Sequence, residues 1–373
     1  MIYVPLNNAQ PGMTLAKSIP SSIGYFSLLK NGEVLTSSLI EKLREHGIDG
    51  VYVELAGSED IEPSCIMEPE VRQQITNEFR KLYTDYLTRP AISYKAVEAT
   101  KKIAENIVDQ VLGRDEYLVD IMEIKGYDSY TYSHSLNVGI LSILMANEMG
   151  ITRNRLEDIG LCALMHDIGK VDIPIQIINK NGPVTDSEFA IIKTHPEKGV
   201  ERLRKCFNVS HEVLQGVQSH HEKVDGTGYP YGYKGTRIPM FGRILAVSDV
   251  YDALTSQRSY RGAWLPNQAI EYIVAKSDSQ FDRDLVGNFM HIVCAYPAGT
   301  VVQLSDGSSA VVVKNFSENV LRPQVRLLES TELGPKGAEI NLFEDREYFH
   351  LTVKAVLGDA NFELTPGVAK IAQ

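Results

Sequence analysis

The chain has 373 residues, 43% of them apolar and 23% charged, with a formal net charge of -11. This is the composition of a folded protein of two or three units, not of a disordered chain, and its acidic balance argues against sequence-independent binding of duplex nucleic acid, which needs excess Lys and Arg facing phosphates. No run approaches bilayer-spanning apolar length, Met1 to Asn7 is not a basic leader, and Cys65, Cys162, Cys206 and Cys294 are widely spaced, so we expect a cytoplasmic protein with reduced thiols and no membrane insertion.

Residues 1 to about 56 are short apolar runs broken by Pro11-Gly12, Gly24, Asn31-Gly32 and Gly47. The pattern predicts a helix over Ser37 to His46 and a strand at Val51-Tyr52-Val53, together a small mixed α/β unit. Gly57 to Pro69 is polar and acidic and is expected to be a linker, closing a first unit over 1–68. Apolar residues recur at three and four from Glu70 to Leu87 and from Tyr94 to Leu112, which predicts two amphipathic lead-in helices within 69–114.

The region 115–296 is helical in character. Tyr130 to Met149 carries Val138, Leu141, Leu144 and Met145 on the side of His134, so that histidine is expected to point inward. Leu156 to His166 predicts a buried helix containing Cys162 and stopped by Gly169. Thr185-Asp186-Ser187-Glu188 has capping-box spacing, and its helix is expected to end at His195-Pro196. Ser210 to His221 predicts a further helix, Asp225 to Pro230 a turn, and Pro239 the start of a helix through Ala246, Asp249 and Asp252. Beyond Tyr296-Pro297, the β-branched runs Thr300 to Leu304, Ala310 to Lys314 and Gln324 to Leu328 predict a β-rich extension over 297–373, which could pack with the N-terminal unit as one platform.

The chemistry-bearing residues lie in the helical region. A His-Asp pair carries little alone, since a chain this long yields about one by chance. His166-Asp167, however, falls at the end of an apolar helix, where an unpartnered aspartate is costly and a bridging metal removes the cost. His220 and His221 diverge by about a hundred degrees on a helix and can reach one ion only near its end, where the following glycines give freedom. With His134, His195 and Asp249 the pool is five of the nine histidines and two aspartates, enough for two divalent ions and metal-assisted hydrolysis. Singly, His134 and His195 read as hydrogen-bonded core or cap residues; their company makes them candidate ligands. His46, His211, His291 and His350 keep ordinary roles. Asp252 shares a helical face with Asp249 and could orient a ligand imidazole. Lys170 is a candidate for a phosphate oxygen, and Arg258 and Arg261 for a bidentate phosphate clamp.

These motifs resemble the HD-GYP phosphodiesterase family over about residues 115 to 296. The resemblance is carried by Tyr132-Ser133-His134-Ser135-Leu136-Asn137-Val138, His166-Asp167-Ile168-Gly169-Lys170, His195-Pro196, the run from His220 to Pro230, Ile238-Pro239, and Asp249-Val250-Tyr251-Asp252-Ala253-Leu254-Thr255. The first fifty residues resemble the small unit that often precedes such domains. The resemblance implies a mainly α fold, an HD-type helical bundle, and hydrolysis of a cyclic dinucleotide, cyclic di-GMP or 3′,3′-cyclic GMP-AMP, to the linear dinucleotide with further cleavage to mononucleotides left open. It also implies that His134, His166, Asp167 and Asp249 hold one ion and that Asp167, His195, His220 and His221 hold a second, Asp167 bridging. Asp167 and Lys170 would be the catalytic pair, Asp252 would stand behind the ligands, and Lys170, Gly228, Tyr229, Arg258 and Arg261 would meet the substrate. Iron or manganese is the expected pair of metals.

Some members have Glu one helical turn before the first histidine, where it helps hold a third metal; Tyr130 stands there, so two metals are expected. In-line attack by activated water, with Lys170 absorbing phosphoryl charge, fits the residue types; protonation of the leaving oxygen by water or by Asp252 stays open. A non-catalytic cyclic-dinucleotide sensor and a generic HD-type nucleotide phosphohydrolase are the alternatives. A homodimer or a signalling-protein partner is left open.

Overall fold

In a computed structural model, the structure describes residues 1–20, 27–46, 48, 50–63, 65–88, 92–113, 118–120, 130–180, 182–256, 263–359 and 362. Arg258 and Arg261, and the side chain of Tyr130, lie outside the described residues.

The middle of the chain is helical. Helices α2 (Pro69–Thr88) and α3 (Tyr94–Leu112) lead into α4 (Tyr130–Glu148) and α5 (Arg153–Met165). Ser93 caps α3 by accepting the Ala96 N–H, and Val97, Thr100, Ile103, Ala104, Ile107, Val108 and Val111 form its buried stripe at the expected spacing. A 3-10 turn, Ile168–Asp172, follows α5, and then come two short helices, α6 (Ile175–Ile178) and α7 (Asp186–Ile192), with no buried residue in either. Helices α8 (His195–Leu203), α9 (His211–Ser219), α10 (Met240–Thr255), α11 (Pro266–Ala275) and α12 (Arg283–Ile292) complete the bundle. Helix α4 packs on α5 and α10, and α10 on α9, so the described half of the bundle closes around α4 and α10. These two are buried nearly all round, which suits a central helix.

Two expected helix borders are corrected. Gly169 does not stop α5; it lies inside the 3-10 turn, where a Cβ would stand 1.9 Å from the His195 carbonyl oxygen and 2.5 Å from the Gly199 nitrogen. Its small size serves a close backbone approach to α8, not a helix end. The capping-box helix ends at Ile192, and His195-Pro196 opens the next helix, with proline in the first turn where its missing N–H costs nothing.

The chain's two outer regions share one hydrophobic core. Strand β1 (Ile2–Pro5) pairs antiparallel with β4 (Gly50–Val53), while β2 (Ile19–Pro20) pairs with β3 (Ser27–Leu29) and α1 spans Ser37–Glu45. At the other end β5 (Val301–Leu304), β6 (Ser309–Lys314), β7 (Gln324–Leu327), β8 (Glu339–Asn341) and β9 (Val353–Val356) make an antiparallel sheet in the order β8-β7-β6-β5-β9. Ile2, Val4, Leu15 and Val51 pack with Val301, Val311 and Leu357, and the Tyr3 N–H donates to the Gly299 carbonyl at 2.9 Å. The expected linker is packed as well: Ile61 joins this platform, Ile66 and Met67 join the helical core, and Arg326 of β7 clamps Asp60 through both guanidinium nitrogens. Among the described residues no helix is long and apolar enough to cross a membrane.

Candidate metal centre

Five helix ends meet at one buried point. His134 comes from the first turns of α4, His166 caps α5, Asp167 begins the 3-10 turn, His195 opens α8, His220 caps α9 with His221 just beyond, and Asp249 faces inward from α10. The four imidazoles His134, His166, His195 and His220 are nearly or fully buried. Helix α9 ends at Ser219, so the two adjacent histidines escape helical divergence, and their ring centroids lie 4.1 Å apart.

Asp167 sits between two groups. Its Oδ1 lies 3.3 Å from His195 Nε2 and 3.9 Å from His220 Nε2; its Oδ2 lies 3.4 Å from His166 Nε2 and 3.9 Å from His134 Nε2. The donor atoms of Asp167, His195, His220 and His221 lie within 4.8 Å of one another, as do those of His134, His166 and Asp167. Asp249 stands at the edge of both sets, Oδ1 3.2 Å from His134 Nε2 and Oδ2 4.0 Å from His221 Nδ1.

The backs of the rings are tied. The Nδ1 of His166, His195 and His220 each faces the carbonyl three residues earlier, Ala163, Ile192 and Val217, at 2.6, 2.8 and 2.7 Å. An Nδ1–H donating there leaves Nε2 with its lone pair toward the centre. His134 instead turns Nδ1 to Asp252 Oδ2 at 2.7 Å, and the other oxygen of Asp252 accepts from Asn137 at 2.7 Å. Asp252 is fully buried; with both oxygens engaged it orients His134 and is poorly placed to protonate a leaving group.

Protonation matches a metal site. Burial drives His220 well below the usual imidazole range, helped by the neighbouring histidines, and lowers His221 to about 3. Burial pushes the Asp167 carboxyl up, but Lys170, His166 and His195 outweigh it and hold the group well below the carboxylate range. Asp249 is likewise lowered, burial being outweighed by His134. His134 is raised to about 9: burial lowers it, and the Asp249 and Asp252 carboxylates more than compensate. The neutral His220 and His221 and the ionised Asp167 and Asp249 are in the states that bind cations, whereas His134 has to release its proton when an ion binds. His166 Nε2 and Asp167 Oδ1 are buried without a hydrogen-bond partner; each such atom costs about 1–3 kcal/mol unless something satisfies it. A divalent ion in each donor set satisfies both, so the residues fit the group.

Residues 121–285 match the family model for the HD domain. The chain is 37% identical over 231 residues to a cyclic di-GMP phosphodiesterase of Pseudomonas aeruginosa, covering 61% of this chain and 56% of the relative. It is 31% identical over 218 residues to a 3′3′-cGAMP-specific phosphodiesterase of Vibrio cholerae, covering 57% and 40%. Over its helical region the chain is thus similar to HD-domain phosphodiesterases of the HD-GYP kind. It spans about half the length of these curated relatives. An HDG"Y"P protein from Bdellovibrio bacteriovorus shares the fold, with a TM-score of 0.50 and 16% identity over 77% of this chain and 97% of that one.

In this chain, Tyr229 of the Gly-Tyr-Pro turn packs against the centre, its ring stacked on His221 with centroids 4.7 Å apart and planes 27° apart. A Cβ at Gly228 would stand 2.3 Å from the Lys223 nitrogen and 2.5 Å from Glu222 Cα, so the turn folds tightly over the end of α9. Lys170, a third exposed, donates to Asp167 Oδ2.

Two positioning groups escaped the sequence reading. Glu222, in the His-His-Glu run, looks like a ligand by composition, but its carboxylate turns away to accept the backbone N–H groups of Tyr231 and Tyr233 at 2.8 and 3.0 Å. Asp172 ends the 3-10 turn and takes both Nε and an Nη of Arg202 from α8 at 2.6 Å, fixing the turn that carries Asp167 and Lys170 to the helix that begins with His195. The capping-box spacing was visible in sequence; a carboxylate answered by backbone amides nine and eleven residues away has no periodic signal.

Proposed function

We propose that the protein is a metal-dependent phosphodiesterase that opens a cyclic dinucleotide, cyclic di-GMP or 3′,3′-cyclic GMP-AMP, to its linear form in the cytoplasm. The observation that carries this reading is Asp167, one buried carboxylate with an oxygen toward each of two imidazole groups. That is the donor arrangement for two ions sharing a bridge, His134, His166 and Asp249 on one side and His195, His220 and His221 on the other. Five imidazoles with two carboxylates favour iron or manganese over magnesium. The names of the relatives supply the substrate class.

When bound, such a pair supplies Lewis acidity at a phosphoryl oxygen and lowers the pKa of water. The chain's own residues do the rest. The carbonyls of Ala163, Ile192 and Val217, with Asp252, hold four imidazoles in fixed tautomers. Lys170 reaches the mouth of the centre with an ammonium that can answer charge growing on the phosphoryl oxygens. Gly228 and Tyr229 form one wall, and the resemblance assigns phosphate contacts to Arg258 and Arg261. Residues 115–296 form the catalytic unit, preceded by 69–114 and flanked by 1–68 and 297–373.

Protein reconstituted with manganese, or with ferrous iron without oxygen, should convert cyclic di-GMP or 3′,3′-cyclic GMP-AMP to the linear dinucleotide, as resolved by chromatography, and a chelator should stop it. Tight binding of either nucleotide with no linear product under both conditions would leave a sensor in place of an enzyme.

A further inference from the structure

A cyclic dinucleotide carries two phosphodiester anions, and the centre with Lys170 serves only the one being cut. Arg258 and Arg261 are assigned to neither phosphate in particular, and in a chain whose overall charge is -11 a further cation for the second has to be supplied locally. Among the described residues, the cations around the centre are mostly engaged. Lys170 is paired with Asp167, Lys180 with Glu188 at 2.6 Å, and Lys198 donates to the Asp172 carbonyl at 2.9 Å.

Lys193 differs. It is exposed, and among the described residues it has no carboxylate partner. Its Nζ lies 4.7 Å from the centroid of Phe189 and 5.7 Å from that of Tyr229. Those two rings meet edge to face at 6.3 Å, and Tyr229 in turn stacks on His221. The residue's backbone caps α7, two positions before His195. Both its tether and its seat therefore belong to the His195 and His221 side of the centre. An exposed ammonium on aromatic faces is held only weakly, and it keeps its outward donors for an anion.

Resting on the phosphodiesterase reading above, we propose that Lys193 binds the second, uncleaved phosphate of the cyclic dinucleotide. The aromatic pair sets the distance of that cation from the metal centre, so it would select a substrate with two phosphates over one with a single diester.

The test compares two substrates on the manganese-loaded full chain: cyclic di-GMP, with two phosphates, and bis(p-nitrophenyl) phosphate, with one. Lys193→Ala should raise KM for cyclic di-GMP about tenfold with kcat changed less than about twofold, the signature of lost uniform binding. Turnover of bis(p-nitrophenyl) phosphate should stay at the wild-type level, and Lys193→Arg should recover most of the affinity for cyclic di-GMP. Equal losses on both substrates would mean that Lys193 merely props Tyr229 against His221, and an unchanged KM for cyclic di-GMP would remove it from the substrate site; either result overturns the inference while leaving the enzyme reading intact. A wild-type protein that cleaves the nitrophenyl ester but not the cyclic dinucleotide would overturn both.

Discussion

Asp252 lies fully buried behind His134 and receives its Nδ1 at 2.7 Å, one turn of α10 beyond Asp249. The carboxylate fixes which nitrogen of His134 faces the centre and raises its basicity, an effect whose loss typically weakens metal affinity 10–100-fold. Asp252→Asn keeps the volume and the link to Asn137 but removes the charge. We expect about that loss in manganese affinity by equilibrium titration, with the helical circular dichroism signal unchanged. Unaltered affinity would show that the orientation of His134 is set by packing alone.

Asp167 and Lys170 touch, yet their removal should have different consequences. Asp167→Ala takes away the carboxylate that stands between two imidazoles on each side, so both metal content and hydrolysis should fall together. Lys170→Ala leaves every proposed ligand in place. Metal content should stay near two per chain by elemental analysis while kcat drops roughly 100-fold or more, the usual scale for losing one charge-stabilising donor. If Lys170→Ala also empties the centre, the ion pair with Asp167 is a structural support and not a catalytic one.

Much of this centre was legible before any coordinates. His166-Asp167 at the end of an apolar helix and His220-His221 ahead of a glycine-rich turn announce candidate ligands because burying those groups unpaired is expensive. Most helix borders followed from apolar spacing and from starts such as Thr185 and Ser210, but His195-Pro196, expected to end a helix, opens one. Gly169 was misread because a glycine after a helix has two uses, ending the helix or admitting another backbone, and only the position of His195 in space decides between them. Glu222, Asp172 with Arg202, and Lys193 act through partners distant in sequence. The shared core of the two chain ends was no more than a thought from sequence, since β-branched runs reveal a buried face without saying what buries it.

The clamp between Asp60 and Arg326 gives the platform an acid limit. The hydrogen bond from Arg326, with a backbone N–H, lowers the Asp60 carboxyl from 3.8 to about 2. A depressed folded-state value means that the carboxylate favours the folded form above about pH 4 and loses that contribution as pH falls toward 2. The pair is exposed, so the effect is modest and screened by salt. Asp60→Asn should lower the unfolding midpoint slightly at pH 6 and at pH 5, with the difference from wild type shrinking below pH 4. An Asp60 titration near 3.8 in a carboxyl-resolved NMR experiment would show that the clamp is not formed in solution.

Gly169→Ala tests whether the turn bearing Asp167 and Lys170 must touch the start of α8. The added Cβ would meet the His195 carbonyl oxygen at 1.9 Å and the Gly199 nitrogen at 2.5 Å; both are backbone atoms, so no rotamer change relieves the clash and the two segments must separate. Overpacking of this kind costs about 3 kcal/mol, roughly 6–12 °C in unfolding midpoint for a domain of a few hundred residues. Because the segments carry Asp167 and His195, separation should also weaken the ion held by His195, His220 and His221 more than the one near His134. Gly287→Ala is the matched control: it lies in the exposed face of α12 with nothing within 4 Å of the added atom, and it should stabilise by about 0.5–1 kcal/mol through helix propensity. Calorimetry and metal analysis on both variants, purified side by side, give the comparison. A Gly169→Ala protein with the wild-type midpoint and full metal content would show that the close approach of the turn to α8 is not needed to build the centre.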